Sequence, residues 1–427
     1  MKICIISYHS CPYTPLGGDG AGGMSVYLKE LSSLLIQDHH VEIDIFTRAQ
    51  NGVPIGPRDV APSLRVIHLK AGPETYLDRE KLFRFLPEFM KNLETHLDAN
   101  KLEYDLIYSH YWLSGLAGEW IKQIYEVPLI HTYHTLAFFK EHVLGSQGDE
   151  IRRMAEDHLA EVADRIISSS SQEREYLVDA VQVPKDRVEM VYPGVNEDIF
   201  FYDTDETIRE EVDLKGNEKL FLYVGRIEPV KGLKTVVEAL NHLKEADEEL
   251  FSSVKLAVIG GGSSGPELDS NLEVKEVRSL LESSGLGEKV LFLGSQPQDR
   301  LRFYYSAADA LVVPSLYESF GLVVTEALAC GTPVFVSKIG EMQNFIRPGK
   351  NGYSFTPEDP VSLGQTIRDF SHNQGVSWPK SRIREDVIKK VSWEKTAAGV
   401  YRVFEGAVAG YDKTKTKFQP GGTLRQA

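Results

Sequence analysis

Two glutamates lie eight residues apart in the stretch ESFGLVVTEALACGTP, which covers residues 318–333. On one α-helix that spacing separates two side chains by about 12 Å along the axis, so the carboxylates could not share one proton or one metal ion. They could instead hold the two ends of an extended ligand. Glu326 stands among apolar residues, where a buried carboxylate must accept hydrogen bonds, and the two hydroxyls of a ribose are a suitable donor pair. The alternative is a helix capped by Ser319 with two solvated glutamates.

The same stretch predicts a site for an anion. The strand ALVVPS comes first and a helix is expected to begin near Phe320, so that Glu318 precedes the helix and Glu326 lies two turns inside it. The first backbone N–H groups of a helix have no acceptor within the helix and could bind a negatively charged ligand. These groups belong to Gly321, Leu322 and Val323.

A second motif, YVGRIEPVKG, places Gly225 and Arg226 at the end of a predicted strand and Lys231 at the start of the next helix. Two cations beside the N-terminus of a helix are suited to binding a diphosphate. The alternative is a pair of solvated charges that flank a loop.

A glycine-rich segment, GGDGAGGMSVYLKEL, starts at Gly17, soon after the first predicted strand. Glycines let backbone N–H groups approach a ligand closely, and the following helix offers its positive N-terminal end to an anion. The segment contains neither the GxGxxG pattern of dinucleotide-binding folds in the required place nor the GK[ST] of a P-loop. A flexible turn is the alternative.

Three histidines follow predicted strands: His110 in SHYWLSG, and His131 and His134 in HTYHTLAFFKE. A histidine at the end of a strand is more often structural than catalytic, and no HExxH pattern marks a zinc site. The triplet DTD at residues 203–205 lies in an acidic linker, away from the end of any predicted strand. We therefore predict no metal site.

Composition argues against several classes of protein. The 427 residues include 62 acidic and 47 basic side chains, and the resulting net charge of −15 disfavours nucleic acid as a partner. Three scattered cysteines indicate neither a disulfide framework nor a zinc site and fit a reducing cytoplasm. No run of about 20 apolar residues predicts a membrane span, and the N-terminal apolar run is too short for a signal peptide.

Short β-branched runs alternate with helical patterns along most of the chain, which predicts an α/β fold with parallel sheets. The length favours two domains. We expect an N-terminal domain (residues 1–195), a C-terminal domain (196–390), a helix that crosses back to the first domain (391–412) and a disordered tail (413–427). The predicted strands are 2–7, 41–47, 64–69, 106–109, 129–132, 165–169, 220–226, 254–262, 290–294, 310–315, 333–337 and 352–356.

The motifs AGGMSVYL, SHYWLSG, HTYHTLAFFK and ESFGLVVTEALACGTP, in this order, resemble those of the retaining GT-B glycosyltransferases of family 4. The likeness covers nearly the whole chain apart from the tail, and the branch of the inositol phosphate glycosyltransferases and sucrose-phosphate synthases is the most similar. The resemblance implies a GT-B fold, in which two Rossmann-like, doubly wound parallel-sheet domains face each other across a cleft. It also implies a hexosyltransferase that uses a nucleoside diphosphate sugar, UDP-linked rather than GDP- or ADP-linked, without a cofactor or a metal.

The resemblance also implies roles for residues of this chain toward the donor. Glu326 would hold the ribose hydroxyls and Glu318 the hexose hydroxyls. Arg226 and Lys231 would stabilise the leaving diphosphate, and His134 would contact the transferred sugar near its anomeric carbon. The expected catalytic set is Glu318, Arg226, Lys231 and His134. The other donor-binding positions are Gly23, Gly225, Gly294, Phe320, Gly321, Leu322 and Val323.

The implied acceptor is a small polar molecule, a phosphorylated polyol or sugar. Ser25 stands where the similar branch has an asparagine that contacts inositol, so inositol itself stays open. Glu341 stands where many members of the family carry a glycine, so contacts of the donor sugar near it are expected to differ. The expected acceptor-binding positions are Ser25, Arg79, Tyr111, Thr135 and Arg152.

Two other classes of protein stay open on the sequence alone. A sugar-nucleotide 2-epimerase on the same fold would need no acceptor, and a non-catalytic sensor would bind a UDP-sugar without turnover. No residue stands out as a covalent nucleophile, so we expect the donor's own phosphate to assist departure on one face of the sugar. The motifs leave the oligomeric state open, with a homodimer among the options.

Overall fold

The computed structural model describes residues 1–14, 22–50, 52–145, 149–261, 271–373 and 375–411. Their strands form two separate sheets, each with apolar clusters packed against it. This arrangement confirms the predicted α/β fold with two parallel-sheet domains. Residues 17–21 of the glycine-rich segment and the predicted tail (413–427) lie outside the described residues.

The first sheet contains β1 (Lys2–Ile6), β2 (Glu42–Arg48), β3 (Gly56–Ala61), β4 (Leu64–Leu69), β5 (Leu106–His110), β6 (Leu129–Thr132), β7 (Arg165–Ser168) and β8 (Val188–Met190). Across the described part of the sheet the order is β3-β4-β2-β1-β5-β6-β7-β8, and only β3 runs antiparallel to its neighbour. Without the two edge strands β3 and β8, this is the order of a Rossmann fold.

The second sheet contains β9 (Lys219–Val224), β10 (Val254–Ile259), β11 (Val290–Gly294), β12 (Ala310–Val313), β13 (Val334–Ser337) and β14 (Gly352–Phe355). The order β11-β10-β9-β12-β13-β14 repeats the Rossmann pattern, and all recorded pairs are parallel. Each sheet therefore reverses its strand order once, between β1 and β5 in the first and between β9 and β12 in the second.

Helices connect these strands in the described residues. They are α1 (Gly23–His39), α2 (Arg79–Leu82), α3 (Leu86–Asn100), α4 (Trp112–Tyr125), α5 (Ala137–Leu144), α6 (Glu150–Val162), α7 (Ser171–Glu175), α8 (Glu206–Glu211), α9 (Leu233–Ala246), α10 (Glu248–Ser252), α11 (Leu272–Ser284), α12 (Gln298–Ala307), α13 (Leu322–Ala329), α14 (Pro360–His372), α15 (Lys380–Ile388) and α16 (Trp393–Gly410). None of the described helices is long and apolar enough to cross a membrane.

The apolar pattern of the sequence explains why these elements pack as they do. In α9, Val236, Leu240 and Leu243 recur every three or four residues and are buried in the same cluster as Phe221 of β9 and Val258 of β10. The strands β3 and β8 were not predicted. β3 lies at the edge with mostly polar, exposed side chains, and β8 has only three residues, so neither carries a clear apolar run.

The C-terminal helix α16 packs on the first sheet. Its apolar residues, among them Val400 and Phe404, are buried in the cluster that holds Ile3 and Ile5 of β1. Gly194, in the segment between the sheets, lies so close to Trp393 at the start of α16 that a β-carbon would overlap the backbone there. The chain can pass this point only with a glycine.

The substitution Gly194→Ala should therefore destabilise the protein by about 1–3 kcal/mol, because a methyl group must displace the start of α16. Gly406→Ala is the matched control, since a β-carbon at Gly406 of the same helix meets no atom within 4 Å. Alanine there should keep or slightly raise the free energy of unfolding. Urea unfolding checks both, and equal values for the two variants would contradict the close contact.

Candidate active site

The expected site residues gather where each sheet reverses its strand order. In open parallel sheets this point, at the carboxyl ends of the strands, is where ligands bind. In the first sheet the residues after β1 and β5 meet there, and in the second sheet those after β9 and β12 do. Hydrogen bonds between the two halves close the back of the cleft, for example from the Leu136 N–H to the Tyr317 hydroxyl at 3.3 Å.

The segment after β12 brings Glu318 and Lys231 together. The Lys231 ammonium donates to Oε2 of Glu318, and the Ser315 hydroxyl lies 3.4 Å from the same oxygen. Lys231 ends a short helical turn after β9, so two strands that are far apart in the sequence supply this pair. Both side chains are largely buried, and the pair holds each group in place before any substrate binds.

The helix α13 begins at Leu322, two residues later than the start expected near Phe320. Gly321 precedes it with a left-handed φ of 87°, and a β-carbon there would come within 2.6 Å of the Met342 side chain. No hydrogen-bond acceptor is recorded among the described residues for the N–H groups at the start of this helix. They belong to Gly321, Leu322 and Val323, as the sequence predicted.

Glu326 lies one turn further along α13 and is buried. The Tyr305 hydroxyl donates to its Oε2 at 3.0 Å, and Gln298 also hydrogen-bonds the carboxylate. Burial raises the pKa of Glu326 to about 7, although these two hydrogen bonds oppose the shift. A carboxylate this far from water has few donors and would gain from two ligand hydroxyls.

Glycines line the ends of three neighbouring strands in the second sheet. The Gly225 N–H donates to the carbonyl of Ile259 at 3.0 Å, and the Gly260 N–H donates to the carbonyl of Gly294 at 3.0 Å. A β-carbon on Gly260 would overlap the Gly225 carbonyl. The floor of this half of the cleft is therefore bare backbone. Beside it, Nη1 of Arg226 pairs with Glu228 at 2.5 Å while the guanidinium stays about half exposed.

The helix α1 of the first sheet begins at Gly23, directly across the cleft from α13. A β-carbon on Gly23 would lie 3.5 Å from Cδ1 of Leu322. The positive N-terminal ends of two helices therefore point toward one narrow space between the sheets. An anion bound there would meet backbone N–H groups from both halves of the protein.

The expected acceptor residues form a cluster around one aromatic ring. The guanidinium carbon of Arg79 lies 5.6 Å, and that of Arg152 4.9 Å, from the centre of the Tyr111 ring. Arg152 also donates to the backbone and side-chain oxygens of Thr135 at 2.8 and 3.1 Å, and its Nε pairs with Glu156 at 2.6 Å. Arg152 is therefore a buried, fixed cation rather than an ordinary surface charge.

The remaining expected acceptor residue, Ser25, lies against a second serine. It is buried in the first turn of α1, and its hydroxyl is 2.8 Å from the Ser10 hydroxyl. The structure thus brings Arg79, Tyr111, Thr135 and Arg152 together, and the described hydroxyl contact of Ser25 is with Ser10 rather than with these four residues.

His134 and Tyr111 both have a positive φ, 61° and 73°, which is costly for residues other than glycine. Nε2 of His134 lies 2.9 Å from Nδ1 of His110, so Nε2 already takes part in a hydrogen bond. Burial and, to a smaller extent, nearby Arg79 together lower the pKa of His134 to about 3. His134 is therefore neutral at working pH and can act as a hydrogen-bond partner but not as a cation.

Lys140 is a cleft cation that sequence reasoning missed. It lies on α5, and its pKa is lowered by partial burial and by nearby Arg152 and Arg226, while Glu228 opposes this shift. These neighbours come from both halves of the protein. Its place in HTYHTLAFFKE, six residues after His134, was the available signal.

Two other features do not belong to the cleft. Asp203 pairs with Arg302 at 3.4 Å, and Asp205 caps α8 by accepting from the Thr207 N–H, so both acids of the DTD triplet have structural partners.

A cavity of about 640 Å³ lies at the opposite end of the first sheet, where Lys2 and Asp44 line it. It lies at the start of β1 and β2, away from the glycines and helix N-termini of the cleft.

Comparison with known proteins gives the family. The model of the group 1 glycosyl transferases matches residues 204–390, and that of the glycosyl transferase 4-like domain matches residues 22–194. The chain belongs to the group 1 glycosyltransferases of family 4 and is a hexosyltransferase with the GT-B fold.

Its relatives include the D-inositol 3-phosphate glycosyltransferase of Xylanimonas cellulosilytica, which is 33% identical over 418 residues, covering 95% of this chain and 97% of that protein. The D-inositol 3-phosphate glycosyltransferase 2 of Catenulispora acidiphila is 37% identical over 370 residues, 86% of each chain. The solved sucrose-phosphate synthase of Thermosynechococcus elongatus has a TM-score of 0.85 at 32% identity and covers 96% of this chain and 99% of that chain. The resemblance expected from the motifs is confirmed.

The pKa of Glu326 leads to a prediction about pH. Ribose hydroxyls bind the charged carboxylate better than the neutral acid, so the affinity for uridine should fall as the pH drops from about 8 to about 6. Uridine is the probe because it carries no phosphate that titrates in this range. Glu326→Gln should bind uridine about tenfold more weakly at pH 8 and show no pH dependence. Ligand-detected NMR measures the affinity of both proteins for uridine. If the affinity of the wild type does not change with pH, Glu326 does not bind the ribose.

Proposed function

We propose that this hexosyltransferase is a retaining enzyme that uses a UDP-sugar as donor and a small phosphorylated polyol or sugar as acceptor. The observation that carries the donor half is the pair of facing helix N-termini, at Gly23 and at Leu322, beside the Lys231–Glu318 pair. Backbone N–H groups, helix dipoles and a lysine together are a strong site for a diphosphate. In this proposal residues 1–195 form the acceptor domain, residues 196–390 form the donor domain and residues 391–412 cross back.

The proposed donor lies along the second sheet. Glu326 accepts the ribose hydroxyls at the buried end, and the diphosphate lies over the bare glycine floor between the two helix N-termini. Arg226 and Lys231 neutralise it. Glu318 then faces the hexose hydroxyls, since Lys231 fixes its carboxylate close to the diphosphate.

The proposed chemistry follows from the groups that surround the sugar. The bond between the anomeric carbon and the diphosphate oxygen breaks, while the acceptor hydroxyl forms a new bond to that carbon on the same face. The acceptor's proton passes to an oxygen of the leaving diphosphate, so atoms and charges balance. Arg226, Lys231 and the N-terminus of α13 stabilise the charge that develops on the diphosphate. Neutral His134 provides a hydrogen bond at the reacting face without repelling positive charge on the sugar.

The proposed acceptor is an anion because the first-domain half of the cleft presents cations around Tyr111. The whole chain is acidic and repels anions at long range, so an anionic acceptor needs dedicated local cations. Arg79 has no ion pair with an acid in the described part of the chain, and Arg152 keeps free donors beyond its bond to Glu156. A planar guanidinium can bind a phosphate through two hydrogen bonds.

The two rival functions gain no support from the comparisons. The relatives similar over nearly the whole chain are named for glycosyl transfer or for sucrose-phosphate synthesis, not for epimerisation. A sensor without turnover would not need the strained His134 and Tyr111 beside the cations.

The first prediction from this proposal concerns the diphosphate. Lys231→Ala or Arg226→Ala should lower kcat by about a hundredfold or more, because each removes charge that stabilises the leaving group. Lys234→Ala is the matched control, since Lys234 pairs with Glu276 on the exposed side of α9. Its kcat should stay near the wild-type value. Steady-state kinetics in EDTA should leave the wild type active, and loss of activity that Mg²⁺ or Mn²⁺ restores would contradict a metal-independent mechanism.

The second prediction concerns the acceptor, which is to be found by mass spectrometry with a panel of sugar and polyol phosphates. Arg79→Ala and Arg152→Lys should each raise the KM for the phosphorylated acceptor at least about tenfold and leave slow hydrolysis of the UDP-sugar unchanged. The control is Arg84→Ala, an exposed arginine near the same segment. Equal KM values for the phosphorylated and unphosphorylated forms of the acceptor would rule out a phosphate at this cluster.

A further inference from the structure

Glu341 is a fully buried carboxylate in the loop that follows β13. Each of its two oxygens accepts two hydrogen bonds. Oε2 accepts from the backbone N–H and the hydroxyl of Ser171 at 2.7 and 2.8 Å. Oε1 accepts from the Tyr192 hydroxyl at 2.7 Å and from Asn344 at 2.8 Å.

These donors come from three separate parts of the protein. Ser171 begins α7 of the first sheet's half, Tyr192 lies in the segment that links the two sheets, and Asn344 belongs to the same loop as Glu341. Ser171 and Glu341 are 170 positions apart in the chain. One carboxylate therefore ties the second half of the cleft to the first half and to the linker.

The balance of forces keeps this carboxylate charged. Burial alone would raise its pKa, but the hydrogen bonds from Asn344, Tyr192 and Ser171 outweigh burial and lower the pKa of Glu341. Loss of the carboxylate would leave the half-buried donors of Ser171 and Tyr192 without this acceptor, which is costly. The contact is therefore a strong link between the halves rather than a neutral surface contact.

The link lies directly beside the donor residues. Gly340 has a left-handed φ of 50°, and a β-carbon there would come within 2.8 Å of the Glu318 carbonyl oxygen and 3.6 Å of the Gln172 side chain. On the other side of Glu318, the Ser319 hydroxyl lies 3.0 Å from the Ser169 hydroxyl. The segment that carries Glu318 is thus held against residues 169–172 from two sides.

We propose that Glu341 is a positioning residue that fixes the two halves of the cleft in the arrangement seen here, which we call closed, and, through the Gly340 contact, sets Glu318 and the N-terminus of α13 opposite α1. It touches no substrate. An anion can contact both helix N-termini only when these lie at the right distance from each other. The fraction of molecules in the closed arrangement therefore sets the apparent affinity for the anion. This last step depends on the proposed donor, whereas the closure itself does not.

The test compares Glu341→Gln and Glu341→Gly with the wild type. Small-angle X-ray scattering without ligand should show a larger radius of gyration for both variants, and more so for glycine, because glutamine keeps one oxygen acceptor. The affinity for UDP, measured by calorimetry, should fall about tenfold for Glu341→Gly and less for Glu341→Gln. Tyr192→Phe combined with Glu341→Gln should change the affinity by less than the sum of the single changes.

The matched control is Glu211→Gln. Glu211 also accepts from a tyrosine hydroxyl, that of Tyr304 at 2.5 Å, and pairs with Arg300, but all three lie within the second half. It should lower the melting temperature without changing the radius of gyration or the affinity for UDP. If the Glu341 variants behave like this control, the proposal is wrong and the contact only stabilises the fold. If wild-type protein does not bind UDP, the proposed donor fails, and scattering alone still decides whether Glu341 fixes the closure.

Discussion

The cleft depends on a constraint of parallel sheets: the carboxyl ends of all strands, and the N-termini of the helices that follow them, lie on one side. Two such sides face each other in this protein. The N-termini of α1 and α13 approach until the Gly23 position and Leu322 are in van der Waals range. Free N–H groups and two positive helix ends in one narrow space favour a bound anion. The proposed diphosphate site follows from the topology before any side chain is considered.

The charged side chains then decide what kind of anion fits. The chain as a whole is acidic, but the cleft concentrates cations, and acids of the protein hold several of them in place. Glu318 holds Lys231, Glu228 holds Arg226 and Glu156 holds Arg152. Each pair keeps a flexible side chain in one geometry, so less conformational entropy is lost when a phosphate binds. No acid among the described residues pairs with Arg79. Its guanidinium is therefore the one that could give all of its charge to an acceptor phosphate.

Much of the fold could be predicted because its signals are local. Apolar β-branched runs specified the central strands, and glycines and short polar stretches marked the ends of those strands. The edge strand β3 escaped because its polar side chains carry no apolar run. The start of α13 was placed two residues early, because Gly321 with its left-handed φ caps the helix and the first helical residue is Leu322 rather than Phe320. The ribose and diphosphate roles were inferred from the residues themselves and the other roles came from the family resemblance; all of them stay predictions, although the structure brings most of the site residues together.

Contacts across long stretches of chain could not be predicted. Nothing near Glu341 indicates that Ser171 and Tyr192 would bind it, and nothing near Lys231 names Glu318, 87 residues away, as its partner. The burial of Arg152 was easier to predict, since its partner Glu156 follows it by one helical turn in EIRRMAEDHLAE. The neighbours of Lys140 could be known only from the way the two halves of the protein pack together.

The central claim is that one anion is bound by both helix N-termini at once. Hydrogen exchange of the whole protein with and without UDP measures this most directly, because each backbone N–H reports on itself. We expect slower exchange, on adding UDP, in residues 22–26 at the start of α1 and in residues 321–325 at the start of α13. Protection confined to the second half, or protection at the cavity beside Lys2 and Asp44, would contradict it.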